Sequence, residues 1–219
     1  MVKVKICGIT RIEDAMAAVE LGADALGFNF FKKSARYIEP SKAKPIIDML
    51  PPLTSAVGVF VDEYSPERVK SISQAMGLAA VQLHGNESPQ YLKKISDLRV
   101  IKAFRVQDNF DPEALQAFPA SAYLLDGYDP QKQGGTGRTF PWEIALRAKQ
   151  FGRIIVAGGL TAQNIRDVIV QVQPYAVDIC SGVESEPGLK DLQKLEGLLL
   201  EVRRARAELT TAGLRKEAP

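Results

Sequence analysis

Cys7, followed at once by Gly8, is a thiol at a strand end. Residues 1–6 alternate as a short strand, so this pair falls where the strand stops and a helix is about to begin. In α/β proteins chemistry sits at such junctions, and a cysteine there serves as a packing residue, a nucleophile or a proton-transfer base. A carboxylate holds a comparable place in Leu124-Leu125-Asp126, straight after buried-type apolar residues, and a connection containing Gly134-Gly135-Thr136-Gly137 follows it. A loop of that length is more often functional than structural. Its glycines lack the lysine and spacing of a P-loop, which argues against nucleotide hydrolysis.

Two further strand ends are rich in glycine. Ala157-Gly158-Gly159-Leu160-Thr161 and Cys180-Ser181-Gly182-Val183-Glu184 would let backbone N–H groups approach an anion closely. Thr161 is expected to cap the helix behind the first turn and leave that helix's positive end aimed at the same place. Either turn alone reads as a tight connection, whereas two at adjacent strand ends read as a phosphate nest. Arg36, in Ser34-Ala35-Arg36, offers a planar guanidinium suited to a ligand carboxylate. His84, in Gln82-Leu83-His84-Gly85, is the one histidine and suits support or ligand contact. Asp178 is a second carboxylate or an orienting group, and Trp142 reads as helix packing.

The elements that position these residues follow from hydrophobic patterning. Short apolar runs occupy residues 2–6, 25–30, 56–61, 79–83, 100–104, 122–125, 154–157 and 176–179, with helical spacing between them. Ser65-Pro66, Ser88-Pro89 and Asp111-Pro112 each set an N-cap before a proline, marking helix starts. Strand and helix alternate at about 27 residues per unit, which right-handed crossovers turn into a parallel sheet, and eight units close a barrel. The Gly-x-Gly-x-x-Gly fingerprint of the competing open sheet is missing after the first strand. The expected architecture is a single-domain (β/α)₈ barrel of eight parallel strands over residues 1–203. Residues 204–219 lose the apolar spacing and are expected to fray.

Composition narrows the function class. A net charge of +2 with no block of like charges gives no nucleic-acid or membrane-surface footprint, while anionic small molecules remain open. No apolar run approaches the roughly 20 residues of a membrane span, and strand-like residues begin at Val2, so a cytoplasmic protein without a targeting peptide is expected. Two cysteines, Cys7 and Cys180, do not make a disulfide framework, and a reducing compartment is the default. With one histidine and no CxxC pair, a zinc site is improbable.

In this order, from Lys5-Ile6-Cys7-Gly8-Ile9-Thr10 through the Ser34 to Arg36 loop, Gln82-Leu83-His84-Gly85, Leu124-Leu125-Asp126 and the glycine turns to Gly188-Leu189-Lys190-Asp191, the chain resembles the phosphoribosylanthranilate isomerase family of tryptophan biosynthesis. It departs from that family's usual pattern at Ala35, Pro141 and Cys180, the last a place generally held by serine. The resemblance implies an Amadori rearrangement of N-(5-phosphoribosyl)anthranilate to the 1-deoxyribulose phosphate, with no cofactor and no metal. Asp126 would be the general acid that opens the furanose ring, and Cys7 the general base that removes the C2 proton. The family's pattern further implies Arg36 on the anthranilate carboxylate and Gly158, Gly159, Ser181 and Gly182 on the phosphate. His84, Asp178, Gly135, Thr136 and Gly137 would contact substrate, Asp178 at the sugar hydroxyls or behind Asp126. The partner is then a small phosphosugar, and the assembly a monomer or homodimer.

A free thiol is only a few per cent ionised at pH 7, so the site must lower Cys7, with Lys5 or helix-terminal N–H groups as the expected agents. Asp126 must keep a proton to act as acid, for which substrate phosphate and partial burial are the expected means. Other readings are a histidine-pathway type of sugar-phosphate isomerase, which has aspartate where Cys7 stands, a covalent cysteine enzyme paired with His84, and a catalytically silent phosphosugar-binding subunit.

Overall fold

The computed structural model describes residues 1–107, 109–127 and 141–217, so Gly135, Thr136 and Gly137 lie outside the described residues. Eight parallel strands close into a barrel in sequence order: β1 (Lys3–Cys7), β2 (Ala25–Asn29), β3 (Ser55–Phe60), β4 (Ala80–Leu83), β5 (Val100–Arg105), β6 (Ala122–Asp126), β7 (Ile154–Ala157) and β8 (Ala176–Ile179). Strand β8 pairs back on β1. This is the expected (β/α)₈ barrel, with strand bounds within a residue or two of the apolar runs.

Helices α1 (Ile12–Glu20), α2 (Pro40–Asp48), α3 (Pro66–Met76), α4 (Pro89–Lys94), α5 (Trp142–Ala148), α6 (Ile165–Val172) and α7 (Leu192–Glu217) surround the strands. Ser65 and Ser88 cap α3 and α4 as their side chains accept from Arg68 N–H and Tyr91 N–H. Asp111 caps as well, accepting from Glu113 N–H, but the segment Pro112–Ala117 winds as a 3₁₀ helix. A 3₁₀ helix rises faster per residue than an α-helix, so few residues suffice to carry the chain back to β6. Trp142 packs on the core from the first position of α5, as expected.

The period of two along each strand divides the molecule into layers. Val4, Ile6, Leu26 and Phe28 point outward and are buried under the helices. Ala122, Leu124, Ile155, Ala157 and Ala176 form a separate cluster inside the barrel. Asp126, two residues beyond Leu124, and Asp178, two beyond Ala176, continue those inner rows toward the mouth. Lys5 and Cys7 do the same on β1. Alternation therefore sends four ionisable side chains to the C-terminal face, where barrel enzymes keep their chemistry.

Helix α7 continues past Arg203, where fading apolar spacing had pointed to a frayed tail. Ala205 is fully buried, and Arg206 donates to the carbonyl of Val2 at 2.6 and 2.9 Å and to Asp24 at 2.7 Å. Arg206 thus ties the helix to the residue before β1 and to the turn before β2, while Ala205 and Leu209 continue the stripe that faces the core.

Candidate active site

Cys7 ends β1, half-buried at the barrel mouth. Beneath it on the same inner row, Lys5 donates to both oxygens of Asp178 at 2.9 and 2.8 Å, and both residues are buried. Burial alone would lower Lys5, but the Asp178 carboxylate and the Cys7 sulfur outweigh it and hold the ammonium above its ordinary range. Asp178 is pushed up to about 6 by burial, with Lys5 opposing and the negative charge of Cys7 adding. One cation thus serves two anionic groups.

The thiol of Cys7 lies well below the usual range. The neighbouring Cys180 thiol, acting as a hydrogen-bond donor, contributes most; burial opposes, and the charge and hydrogen bond of Lys5 and the charge of Lys190 add to the lowering. Cys180 moves upward, because it donates that bond and because it is buried beside Cys7 and Glu184. Lys5 was expected as an agent of this shift, whereas helix-terminal N–H groups do not figure in it. Cys180, which first reads as a departure in a loop, follows β8 beside the end of β1 and bears on the Cys7 thiol.

Across the mouth, Asp126 ends β6 and meets His84 from the end of β4, with Nε2 of the histidine 3.1 Å from Oδ2 of the carboxylate. The other ring nitrogen, Nδ1, lies 2.9 Å from Gln82 Nε2. When the amide donates there, Nε2 carries the proton and donates to Asp126, so Gln82 sets the tautomer. His84 therefore stands behind Asp126 in the arrangement that orients a carboxylate. The loop that carries it is fixed by buried Glu87, which accepts from the N–H groups of Asp62 and Gly85 and from Lys102 at 2.7 Å.

Arg36 follows β2 and forms a bidentate pair with Glu184, with Nε 2.9 Å from Oε1 and Nη2 2.6 Å from Oε2. The fork is shaped for a carboxylate, and in this structure that carboxylate belongs to the protein. Burial pushes Glu184 up, but the bonds from Arg36 and the nearby charge of Lys190 win and hold it low. Lys190, with a fully buried side chain, donates to Glu184 at 3.0 Å and to the carbonyl of Cys7 at 2.6 Å. The short strands β9 (Glu184–Glu186) and β10 (Leu189–Lys190) form a hairpin that brings both residues over the end of β1. Glu184 and Lys190 appear in the sequence motifs, yet residue type alone gave them no role. Only the hairpin places them.

The two glycine turns stand side by side after β7 and β8. Gly158 and Gly159 have φ of 84° and 63°, left-handed backbone that favours glycine. Asn164, not Thr161, organises this turn: its side chain accepts from Thr161 N–H at 2.8 Å and donates to the Gly159 carbonyl at 2.9 Å. Thr161 contributes its backbone carbonyl to the start of α6, and its hydroxyl makes no cap bond. Ser181 and Gly182 open a 3₁₀ turn, whose first N–H groups have no acceptor within the turn. A Cβ on Gly182 would stand 1.9 Å from the carbonyl oxygen of Leu160, so only glycine lets the two turns meet. Gly182→Ala is accordingly expected to force them apart, raising KM for a phosphorylated substrate and costing roughly 1–3 kcal/mol of stability. Titration of initial rates and a thermal melt check both effects.

An inward thiol and a carboxylate facing each other across a barrel mouth, next to paired glycine turns suited to phosphate, define a phosphosugar-converting enzyme of the parallel-barrel class. The family model described as N-(5'-phosphoribosyl)anthranilate (PRA) isomerase matches residues 4–200, and the chain belongs to that family. It is 52% identical over 206 residues to N-(5'-phosphoribosyl)anthranilate isomerase of Trichlorobacter lovleyi, covering 94% of this chain and 100% of the relative. The crystal structure of phosphoribosyl anthranilate isomerase from Thermotoga maritima superposes with a TM-score of 0.85 at 42% identity, covering 93% of this chain and 100% of that one. A further solved isomerase holds reduced 1-(o-carboxyphenylamino)-1-deoxyribulose 5-phosphate and is similar with a TM-score of 0.82 at 42% identity, over 93% of this chain and 100% of its own.

Proposed function

We propose that the family's reaction, isomerisation of N-(5'-phosphoribosyl)anthranilate in tryptophan biosynthesis, is carried out in this chain by Asp126 as general acid and Cys7 as general base. The observation that carries this reading is the separation of their surroundings. A sulfur ringed by Lys5, Lys190 and a thiol donor is suited to lose a proton, and a carboxyl across the mouth is oriented by His84.

Asp126 gives its proton to the furanose oxygen, the C1–O bond breaks, and the anthranilate nitrogen's lone pair closes a Schiff base. The Cys7 thiolate then takes the C2 proton, and the electron pair moves to form the enolamine that tautomerises to the 1-deoxyribulose product. No oxidant enters, because the aldose carbon gains the hydrogen that C2 loses. Asp178 keeps Lys5 beside the sulfur, and His84 holds Asp126 in its working orientation. The N–H groups around Gly158, Gly159, Ser181 and Gly182 take the phosphate, and Gly135, Thr136 and Gly137 contact the substrate from the loop after β6. The ligand is a small phosphosugar, in line with the product analogue held by the solved relative. Among the described residues no helix is long and apolar enough to cross a membrane. The working compartment is the cytoplasm, and the assembly a monomer or homodimer.

Arg36 binds the anthranilate carboxylate, exchanging part of its bond to Glu184 for the ligand's. Arg36→Met is then expected to raise KM roughly ten- to a hundredfold, the worth of a charged hydrogen bond, and to lower kcat far less. Steady-state kinetics showing the opposite split would refute that role. The reading as a whole is tested by generating N-(5'-phosphoribosyl)anthranilate enzymatically and following its fluorescence on adding the purified protein. Decay in proportion to protein supports it; a trace unchanged by the protein refutes it.

A further inference from the structure

Cys180 brings a second thiol to the catalytic one, and their placement follows from strand register. Lys5 and Asp178 are partners on β1 and β8, as are Ile6 and Ile179. Cys7 and Cys180 come next on each side. Lys5 and Asp178 meet inside the barrel, so residues two further on point inward as well, one layer nearer the mouth. Neighbouring strands lie about 4.8 Å apart, inside the ~4.4–6.8 Å span between Cα atoms that a disulfide bridges. The Cys180 sulfur reaches over to the end of β1, where a Cβ built on Gly8, the residue after Cys7, would stand 3.1 Å from it. Lys190 clamps both residues from above, donating to the Cys7 carbonyl at 2.6 Å and to the Cys180 carbonyl at 3.4 Å. Both are half-buried, not sealed, so a small oxidant reaches them.

We propose that Cys7 and Cys180 are an oxidisable pair, a modification site at which a peroxide closes a disulfide between β1 and β8 and removes the general base.

The Cys7 thiolate attacks one peroxide oxygen, the O–O bond breaks, and the sulfur becomes a sulfenic acid while the other oxygen leaves as hydroxide or alkoxide. The Cys180 sulfur then attacks that of Cys7: an S–S bond forms, the S–O bond breaks, and the departing hydroxyl leaves as water with the proton of Cys180. Two thiols are oxidised and one peroxide is reduced. A dithiol reverses the reaction by exchange. The features that make Cys7 a base also make it the attacking sulfur, since a thiolate among cations is the reactive form. Glu184, with Oε1 at 3.8 Å from the Cys180 sulfur, is placed to draw the proton from the resolving thiol.

Only the consequence for activity rests on the isomerase reading; the bond itself does not. The test treats the reduced full-length protein with hydrogen peroxide, then measures intact mass, unreduced peptide maps and isomerase activity before and after dithiothreitol. The expected result is a mass lower by two hydrogens, a Cys7–Cys180 linked peptide, activity lost in step with that peptide, and recovery of both with the dithiol. In Cys180→Ser, compared with its own untreated activity, Cys7 is expected to gain oxygen and pass to forms the dithiol does not restore. Wild-type protein that gains oxygen at Cys7 without the linked peptide, or links cysteines only between separate chains, overturns the proposal. A linked peptide in protein without isomerase activity leaves the pair standing and counts against the functional reading.

Discussion

Asp126→Asn is expected to lower kcat by roughly 100- to 10,000-fold, the range of a positioned acid, with little change in KM. Asparagine has nearly the shape of aspartate, and its carbonyl oxygen can accept the bond from His84 Nε2, so the position is conserved while the transferable proton is lost. The loss falls on ring opening, because without a proton the furanose oxygen leaves as an alkoxide. A variant with wild-type kcat would take Asp126 out of the mechanism. His84 offers a graded comparison, since its imidazole orients the acid without replacing it. Loss of that orientation should cost rate, but less than loss of the acid.

Cys7→Ser should likewise cost kcat by roughly 100- to 10,000-fold while substrate still binds. A serine hydroxyl is far too weak an acid to give an alkoxide near neutrality, even beside Lys5. The wild-type pH profile states the same claim with a sign. The base works when deprotonated, so kcat/KM rises with pH through its apparent pKa and flattens above it. That rise must lie below the ordinary thiol value of about 8.5, because the Cys180 hydrogen bond and the charges of Lys5 and Lys190 favour the thiolate. Asp178, pushed up to about 6, titrates against the same Lys5, so the midpoint belongs to the Lys5–Asp178–Cys7 cluster as a unit. A rise centred at 8.5 or above would leave the cluster without its proposed effect.

Much of the site was legible because its main groups announce themselves locally. Cys7 and Asp126 stand at the ends of apolar runs, and a strand end followed by a polar residue can be found without knowing what lies beside it. The paired glycine turns are visible for the same reason, since backbone that must approach another chain or turn left-handed requires that residue. The Ser-Pro caps were equally local. Thr161 shows where such reasoning stops. Its type suits a cap, but Asn164 three residues on has an amide that both donates and accepts, and it took the turn. Beyond Arg203 the contacts of α7 rest on Ala205 and Leu209 against the core and on Arg206 against the Val2 carbonyl and Asp24, partners that the local sequence does not name.

The sequence by itself determined the barrel, its strand count and the strand-end positions of Cys7, Asp126 and the paired glycine turns, because alternation and turn chemistry act over a few residues. Only the tertiary structure decided what surrounds them. Lys5 meets Asp178 across 173 residues, Arg36 meets Glu184 across 148, and His84 meets Asp126 across 42. The physical reason is closure: when β8 pairs with β1, side chains from opposite ends of the chain become neighbours in a space that water largely leaves. There a lysine, a carboxylate and two thiols must settle their charges among themselves, and Cys7 emerges as the thiol held well below its ordinary range.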